Sequence, residues 1–351
     1  MMSHDFPILK LPLTMQAAMI QNLGGAEALK IATNNPDFRQ MLSVHKLQAT
    51  SLYYNWSNYC SDSGRTCIEV NFGENQNKLW IRVAYGTPWT LETGTEKRLT
   101  PLEIGDIVFE LKEFKDKNQP VICLDSDRIV SGVTELDVLE MYSSYLMELI
   151  KVEKVRVCGQ FSEENDFIKC FLWKRHGVFS NIHAVLVNDE LIHPDNFKFF
   201  HEQLVAEKCK LQFFGDTLEE NLSSYTTPIT IPDVTLNEAD FLHPDAILNS
   251  TSSFINLHDL PYSYSFMNAV VKTWIHGGLA NLQRMRISCG YWQKLVKDEK
   301  FLDGIPATER DSEEDPKAHF DVRRLTDGAQ ATISFDYKKE FEFLIQKPLE
   351  N

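Results

Sequence analysis

Two His-Pro-Asp tripeptides, His193-Pro194-Asp195 and His243-Pro244-Asp245, stand fifty residues apart in the chain. A histidine next to a carboxylate is raw material for proton transfer. Both copies, however, follow a short apolar stretch and lead into helix-forming sequence, "NFKFF" and "AILNS". Proline at the first helical position, with aspartate near the positive end of the helix dipole, is the chemistry of a helix start. The ten histidines show no metal-ligand spacing. The seven cysteines, Cys60, Cys67, Cys123, Cys158, Cys170, Cys209 and Cys289, contain no Cys-x-x-Cys pair. A zinc ribbon or a dithiol redox motif is therefore not expected, and buried reduced thiols are. The acid pairs Glu163-Glu164 and Glu313-Glu314 read as solvated surface. No Gly-rich phosphate loop, serine-nucleophile elbow, zinc-protease His pair or dinucleotide fingerprint occurs. The expectation is a chain with no catalytic residue, no metal site and no cofactor. An enzyme with a site lacking any motif is the reading from the other class.

Whole-chain properties narrow the partners. The 351 residues carry a net charge of -15, with 43% hydrophobic and 24% charged residues. That charge and the absence of a basic patch speak against nucleic acid. The start, "MMSHDFPILKLPLTMQAAMIQNL", has His4 and Asp5 where a secretion signal needs basic residues, and no apolar run reaches membrane-spanning length. No membrane association is expected, and the compartment reads as cytoplasmic or nuclear. The glycosylation triplets at Asn55, Asn221 and Asn249 are then chance matches.

The elements follow from periodicity. Pro12 opens a helix carrying Met15, Met19, Ile20 and Leu23, stopped by Gly24 and Gly25. A second short helix carries Ala28, Leu29 and Ala32, and a third follows Pro36 with Phe38, Met41 and Leu42. Three helices within residues 5–46 are too little to bury their own apolar surface. Residues 47–130 read as β, mainly antiparallel, through "TCIEVNF", "KLWIRVAY", "IGDIVFELKEF" and "PVICL". Residues 131–351 open with a helix capped by Thr134. Short strands follow at "VEKVRVCG", "NIHAVLV", "CKLQFF", "PDVTLNEA", "SFINLHDL" and "LQRMRIS". From "NIHAVLV" on, they recur at a period typical of leucine-rich-repeat stacking, though an ordinary α/β sheet fits nearly as well. "ATERDSEEDPK" reads as a charged loop, and "FDVRRL" with "ATISFDY" as a hairpin turning at Asp327-Gly328. The expected class is α+β: a short helical motif, a β-rich middle and an α/β repeat-like domain. In "NAVVKTWIHGG", Val270, Val271, Trp274 and Ile275 share helical spacing, so Trp274 is expected in the core, with Gly277 and Gly278 as the stop.

The opening "FPILKLP" followed by short helices resembles the F-box of the large nematode F-box families, whose motif opens FPxLxLP. The stretch from residue 254 to 287 resembles the type-2 F-box-associated domain through Asn268, Lys272, Trp274, Ile275, Gly277 and Leu282. "DVRRLTDGAQATISF" is similar to that family's closing hairpin through Arg324, Asp327, Gly328, Ala331 and Thr332. The resemblance implies a non-catalytic adaptor. Its N-terminal helices would bind a Skp-type adaptor, and through it a cullin, while the remaining domain recruits an unknown protein substrate for ubiquitin-dependent degradation. The implied adaptor-binding residues are Phe6, Leu9, Leu11, Pro12, Met15, Met19, Ile20 and Leu23. The resemblance names no substrate-binding residue. The sequence departs from the family at "GGAEALKIATNN", where Gly24 and Gly25 replace larger residues. A degenerate F-box on a protein-binding scaffold is the alternative.

Overall fold

The computed structural model describes residues 8–56, 66–73, 78–85, 97–98, 101–104, 107–116, 119–126, 134–161, 168–186, 198–200, 202–213, 225–237, 242–258, 264–288, 299–310, 318–336 and 340–346. The fold is mixed α/β, with three N-terminal helices and extensive β-sheet. The chain divides into two compact units, residues 1–160 with 174–176, and residues 161–173 with 177–351.

In the first unit, Pro12 caps α1 (Leu13–Asn22), its carbonyl accepting from Met15 N and Gln16 N at 2.9 and 3.0 Å. Gly24, at φ +64°, separates α1 from α2 (Gly25–Asn34). Gly25 is the first residue of α2, so neither glycine lies in a helix interior. A Cβ on Gly25 would stand 2.2 Å from two ring carbons of Phe72. The missing side chain is what lets α2 begin that close to the sheet. Ala26, Ala28, Leu29 and Ala32 are buried. Asn35 caps α3 (Pro36–His45), its side chain accepting from Phe38 N, and Pro36 fills the first position. Phe38, Met41 and Leu42 are buried. The last carbonyls of α2 do not go unmet: Ala32 O accepts from Arg39 Nε at 3.2 Å and Thr33 O from Arg39 Nη2 at 3.3 Å.

The first unit's sheet runs in the order β8 (Ile150–Phe161), β1 (Leu47–Asn55), β2 (Cys67–Asn71), β3 (Lys78–Tyr85), β7 (Gln119–Ser126) and β6 (Ile107–Asp116). The short β4 (Lys97–Arg98) and β5 (Leu102–Ile104) both pair with β6. The β1–β8 and β3–β7 pairs are parallel, and the other pairs antiparallel. Helix α4 (Glu135–Leu149) carries the expected cap as a full capping box between Thr134 and Asp137. It buries Val138, Leu139, Tyr142, Leu146 and Leu149. The sequence reading broke the chain at residue 130, whereas the boundary falls at 160. The reason is pairing at a distance: β8 completes the sheet on β1, and Arg39 of α3 lies 5.2 Å over the ring of Tyr145 on α4.

After a one-turn helix α5 (Phe171–Arg175), the second unit lays down β9 (Asn181–Leu186), β10 (Lys208–Phe213), β11 (Asp233–Asn237), β12 (Phe254–His258) and β13 (Arg284–Ser288) side by side in chain order. All are parallel. Every strand anticipated between "VEKVRVCG" and "LQRMRIS" is present. β17 (Glu340–Ile345) joins β13 antiparallel and is followed by β16 (Gln330–Asp336), β15 (Ala318–Arg323) and β14 (Thr308–Arg310). The expected hairpin is β15–β16, closing at Arg323↔Gln330. Part of the expected charged loop is instead β14, held by its ladder and by Arg310 on Asp321 at 2.8 Å. Glu313 and Glu314 lie outside the described residues. Helices α6 (Pro244–Leu248) and α7 (Tyr264–Ile275) stand between strands of this sheet in the chain. Alternation is strict on β11, β12 and β13: Val234, Leu236, Ile255, Leu257, Met285 and Ile287 are buried, and the residues between them face outward, whereas β9 buries Ala184, Val185 and Leu186 in succession.

Candidate functional site

The three N-terminal helices divide into an anchored part and a free part. Gln16, 5% exposed, donates from Nε2 to Leu11 O at 2.9 Å, folding the turn Ile8–Lys10 back onto α1. That bond fixes the direction in which the turn presents its apolar side chains. Leu9 is 37% exposed, Leu13 61% and Met15 56%, and Pro12 is exposed beside them. Leu11, Met19 and Leu23 are half-buried. Ile20 is 8% exposed, so it belongs to the unit's own core and not to a free face, which corrects its place among the expected contacts. Phe6 lies outside the described residues. Leu13 was not singled out from sequence, since it falls off the Met15–Met19–Ile20–Leu23 stripe. Its place on the first turn, beside Pro12, was the available signal.

A second cluster lies in the sheet of the same unit. The hydroxyls of Tyr54 and Ser143 share a hydrogen bond of 2.5 Å, and His176 Nε2 stands 3.3 Å from Tyr54 Oη. All three residues are buried. Burial, helped by the adjacent Arg175 guanidinium, pushes the His176 imidazole down to about 4, so it is neutral at pH 7. A neutral, enclosed imidazole bonded to a tyrosine is structural polar chemistry.

The residues behind the family resemblance come together in the second unit, although up to 64 positions separate them. Trp274, fully buried as expected, meets Phe343 edge-on at 5.2 Å. Arg324 Cζ sits 5.1 Å from the Trp274 ring centre, and Arg324 grips Asp327 through Nε and Nη2 at 2.9 and 2.6 Å. That grip, with the Ala329 N–H donated to Asp327 Oδ1 at 3.0 Å, lowers the Asp327 carboxyl to about 2. Leu325 N donates to Ile275 O at 2.8 Å, tying the hairpin turn to the end of α7. Gly277 is at φ +94°, and a Cβ there would lie 2.8 Å from Thr326 Cγ2. Asn268 donates from Nδ2 to Phe301 O at 2.7 Å and Asp303 O at 3.0 Å. Asn268 ties α7 to the turn at 301–303, and Gly277, Arg324, Leu325 and Asp327 latch its end to the closing hairpin, so these residues hold the fold.

The remaining sequence candidates are structural. His243 caps α6, its Nδ1 accepting from Asp245 N at 3.2 Å, with Pro244 next, so this tripeptide is the helix start it was read as. His193-Pro194-Asp195 lies outside the described residues. Asn55 is buried in β1, and Asn249 donates to Asp245 O at 2.9 Å; Asn221 lies outside the described residues. Cys67, Cys170 and Cys209 are buried and outside any disulfide. Desolvation raises Cys67 to about 11 and Cys209 well above its ordinary value, which makes both unreactive. Cys158 departs from the expectation: it is disulfide-bonded. Spacing along the chain does not reveal such a pairing, because it is made by tertiary proximity. Among the described residues no group of His, Cys, Asp or Glu has metal-binding geometry, and no helix is long and apolar enough to cross a membrane.

No protein-family model matches the chain, and no curated protein does. Among solved structures, the crystal structure of a S-adenosylmethionine-dependent methyltransferase from Clostridium acetobutylicum ATCC 824 is 14% identical. The match covers 50% of this chain and 61% of that chain, less than two thirds of it, at a TM-score of 0.13. A likeness of that size carries no argument about fold or chemistry.

Proposed function

We propose that the chain is the substrate-recruiting subunit of a Skp/cullin/F-box ubiquitin ligase. In this reading it has no catalytic step of its own and binds a Skp-type adaptor through the N-terminal turn and α1. It holds a protein substrate on a leucine-rich-repeat-like second unit of the type-2 F-box-associated kind. One observation carries the reading: Leu9, Leu13 and Met15 stand exposed on a turn and helix start that Gln16 holds rigidly. An apolar patch left exposed next to a helix start is what an interface half requires. Five parallel strands in chain order, starting 21 to 30 residues apart, support the repeat-like reading of the second unit.

A second reading is favoured by a separate observation. α2 and α3 bury their apolar faces within their own unit, so most of the helical motif is already satisfied without an adaptor. A protein-binding scaffold with a degenerate F-box has that property. A tagged pull-down read by mass spectrometry separates the two. The ligase reading expects a Skp-type adaptor and a cullin among the captured proteins; capture of other proteins with neither of these is the scaffold's result.

A further inference from the structure

The outward face of the second unit's sheet carries one unusual cross-strand row. On β12, β13 and β17, Phe254 is opposite Arg284, and Arg284 is opposite Leu344. Phe254 is 41% exposed and Leu344 45%, so two large apolar side chains flank an arginine on a sheet face otherwise lined with polar residues. In the adjoining row Lys210 lies on β10 and Arg286 on β13. The two arginines share one carboxylate oxygen: Glu342 Oε1 accepts from Arg284 Nε at 2.6 Å and Arg286 Nε at 3.1 Å. Two guanidinium groups offer ten N–H donors, and Glu342 takes only a few, so a planar donor surface is left over. Lys208 is neutralised by Asp233 at 3.2 Å. Setting that pair aside, among the described residues on the outward face of β10–β13 and β17, Lys210, Arg284 and Arg286 stand against Glu340 and Glu342, one cation in excess on a chain whose net charge is -15.

We infer that the face centred on Phe254, Arg284 and Leu344, with Arg286 and Lys210 beside it, binds an extended acidic peptide segment. An apolar side chain of the peptide would pack on Phe254 and Leu344, and its carboxylates would meet the guanidinium donors. Phe and Arg are both enriched in protein interfaces. β10 to β17 is four strand spacings, about 19 Å, which about six extended residues cross. The inference rests on the recruiting role only in taking the bound peptide to be part of a substrate; the binding itself does not depend on the N-terminal unit.

The test uses the full chain without any adaptor and fluorescein-labelled synthetic peptides of about eight residues. One probe has a central Phe flanked by Glu; a second replaces every Glu by Gln; a third replaces Phe by Ser. Fluorescence anisotropy should show saturable binding of the first probe, with the second and third about tenfold weaker or worse. Phe254→Ala and Leu344→Ala, which disturb no charge, should each weaken the first probe about three- to tenfold. Arg284→Ala and Arg286→Ala, combined with Glu342→Gln, leave Lys210 against Glu340, remove the positive excess and should abolish the preference for Glu over Gln. The inference is overturned by equal binding of the Gln probe, by unchanged affinity in both apolar variants, or by no saturation below about 1 mM. Peptide binding with no adaptor capture would leave this face standing and remove the ligase; the reverse pattern would remove the face alone.

Discussion

Exposure separates the N-terminal residues that hold the fold from those free to bind, and this sets up a comparison of two variants. The first is Leu13→Ala with Met15→Ala. These side chains are 61% and 56% exposed, so each has over half its surface left to bury in a complex. Full burial of a Leu or Met side chain contributes about 1.5–3 kcal/mol, so the exposed parts are worth about 1–2 kcal/mol each. Together the loss is about 2–4 kcal/mol, a weakening of adaptor binding by roughly 30- to 700-fold. Stability should stay within about 0.5 kcal/mol of the parent, because neither side chain packs in the core. The second variant is Ile20→Ala. At 8% exposure Ile20 is a core residue, and truncation should cost about 2–5 kcal/mol of folding free energy. In a unit of this size that lowers its midpoint by about 4 to 20 °C. Adaptor binding is read by biolayer interferometry on an immobilised Skp-type adaptor, and stability by thermal melts of the same preparations. Parent-like adaptor affinity in a well-folded Leu13/Met15 variant would refute the assignment of this face. A parent chain that shows no affinity for the adaptor would refute the ligase reading altogether.

Gly25→Ala should lower the first unit's melting temperature. Overpacking against Phe72 costs about 1–3 kcal/mol, more than the helix propensity gained, and Phe72→Leu should restore part of the loss. His176 is held down near 4 against an ordinary 6.5, so as pH falls through that window the unfolded chain takes up a proton that the folded chain refuses. Stability should therefore be complete above about 6.5 and decline by up to about 3 kcal/mol toward pH 4. A pH series of denaturant melts should show His176→Gln lacking that slope. Asp327, held near 2, works at a lower range: the turn should stay intact down to about pH 4 and loosen as pH falls toward 2. Asp327→Asn should lose this acid step and speed amide exchange at Ala329, whose N–H the carboxylate accepts.

What the sequence made legible follows from how local each determinant is. Thr134 with Asp137, and Asn35 with Pro36, are caps written within four residues, and both helices start where those residues require. β11, β12 and β13 alternate strictly and were readable, while β1 was not named. Its burial runs Leu47, Ala49, Leu52, Tyr54 and Asn55, which breaks the alternation because β1 sits between β2 and β8 and is enclosed by elements a hundred residues away. Gln16 shows the same limit from the other side. A glutamine on a helix is read as surface, yet it is buried because one carbonyl, Leu11 O, is within reach of its amide.

The family-like phrase explains why the site was harder to read than the fold. Asn268, Trp274, Gly277, Arg324 and Asp327 each meet one demanding geometric requirement: a carbonyl pair, an enclosed ring, a positive φ, a bidentate grip. Few residue types meet such requirements, so the pattern is recognisable, and what it encodes is how α7 is tied to the turn at 301–303 and to the hairpin. Phe254, Arg284 and Leu344 answer to no such constraint, since their outward positions accept almost any side chain as far as the fold is concerned. Their identity carries information only when the strand register puts them in one row. A binding face of this kind is therefore assembled by topology, and its residues, spread over ninety positions, become a pattern only once β12, β13 and β17 are known to be neighbours.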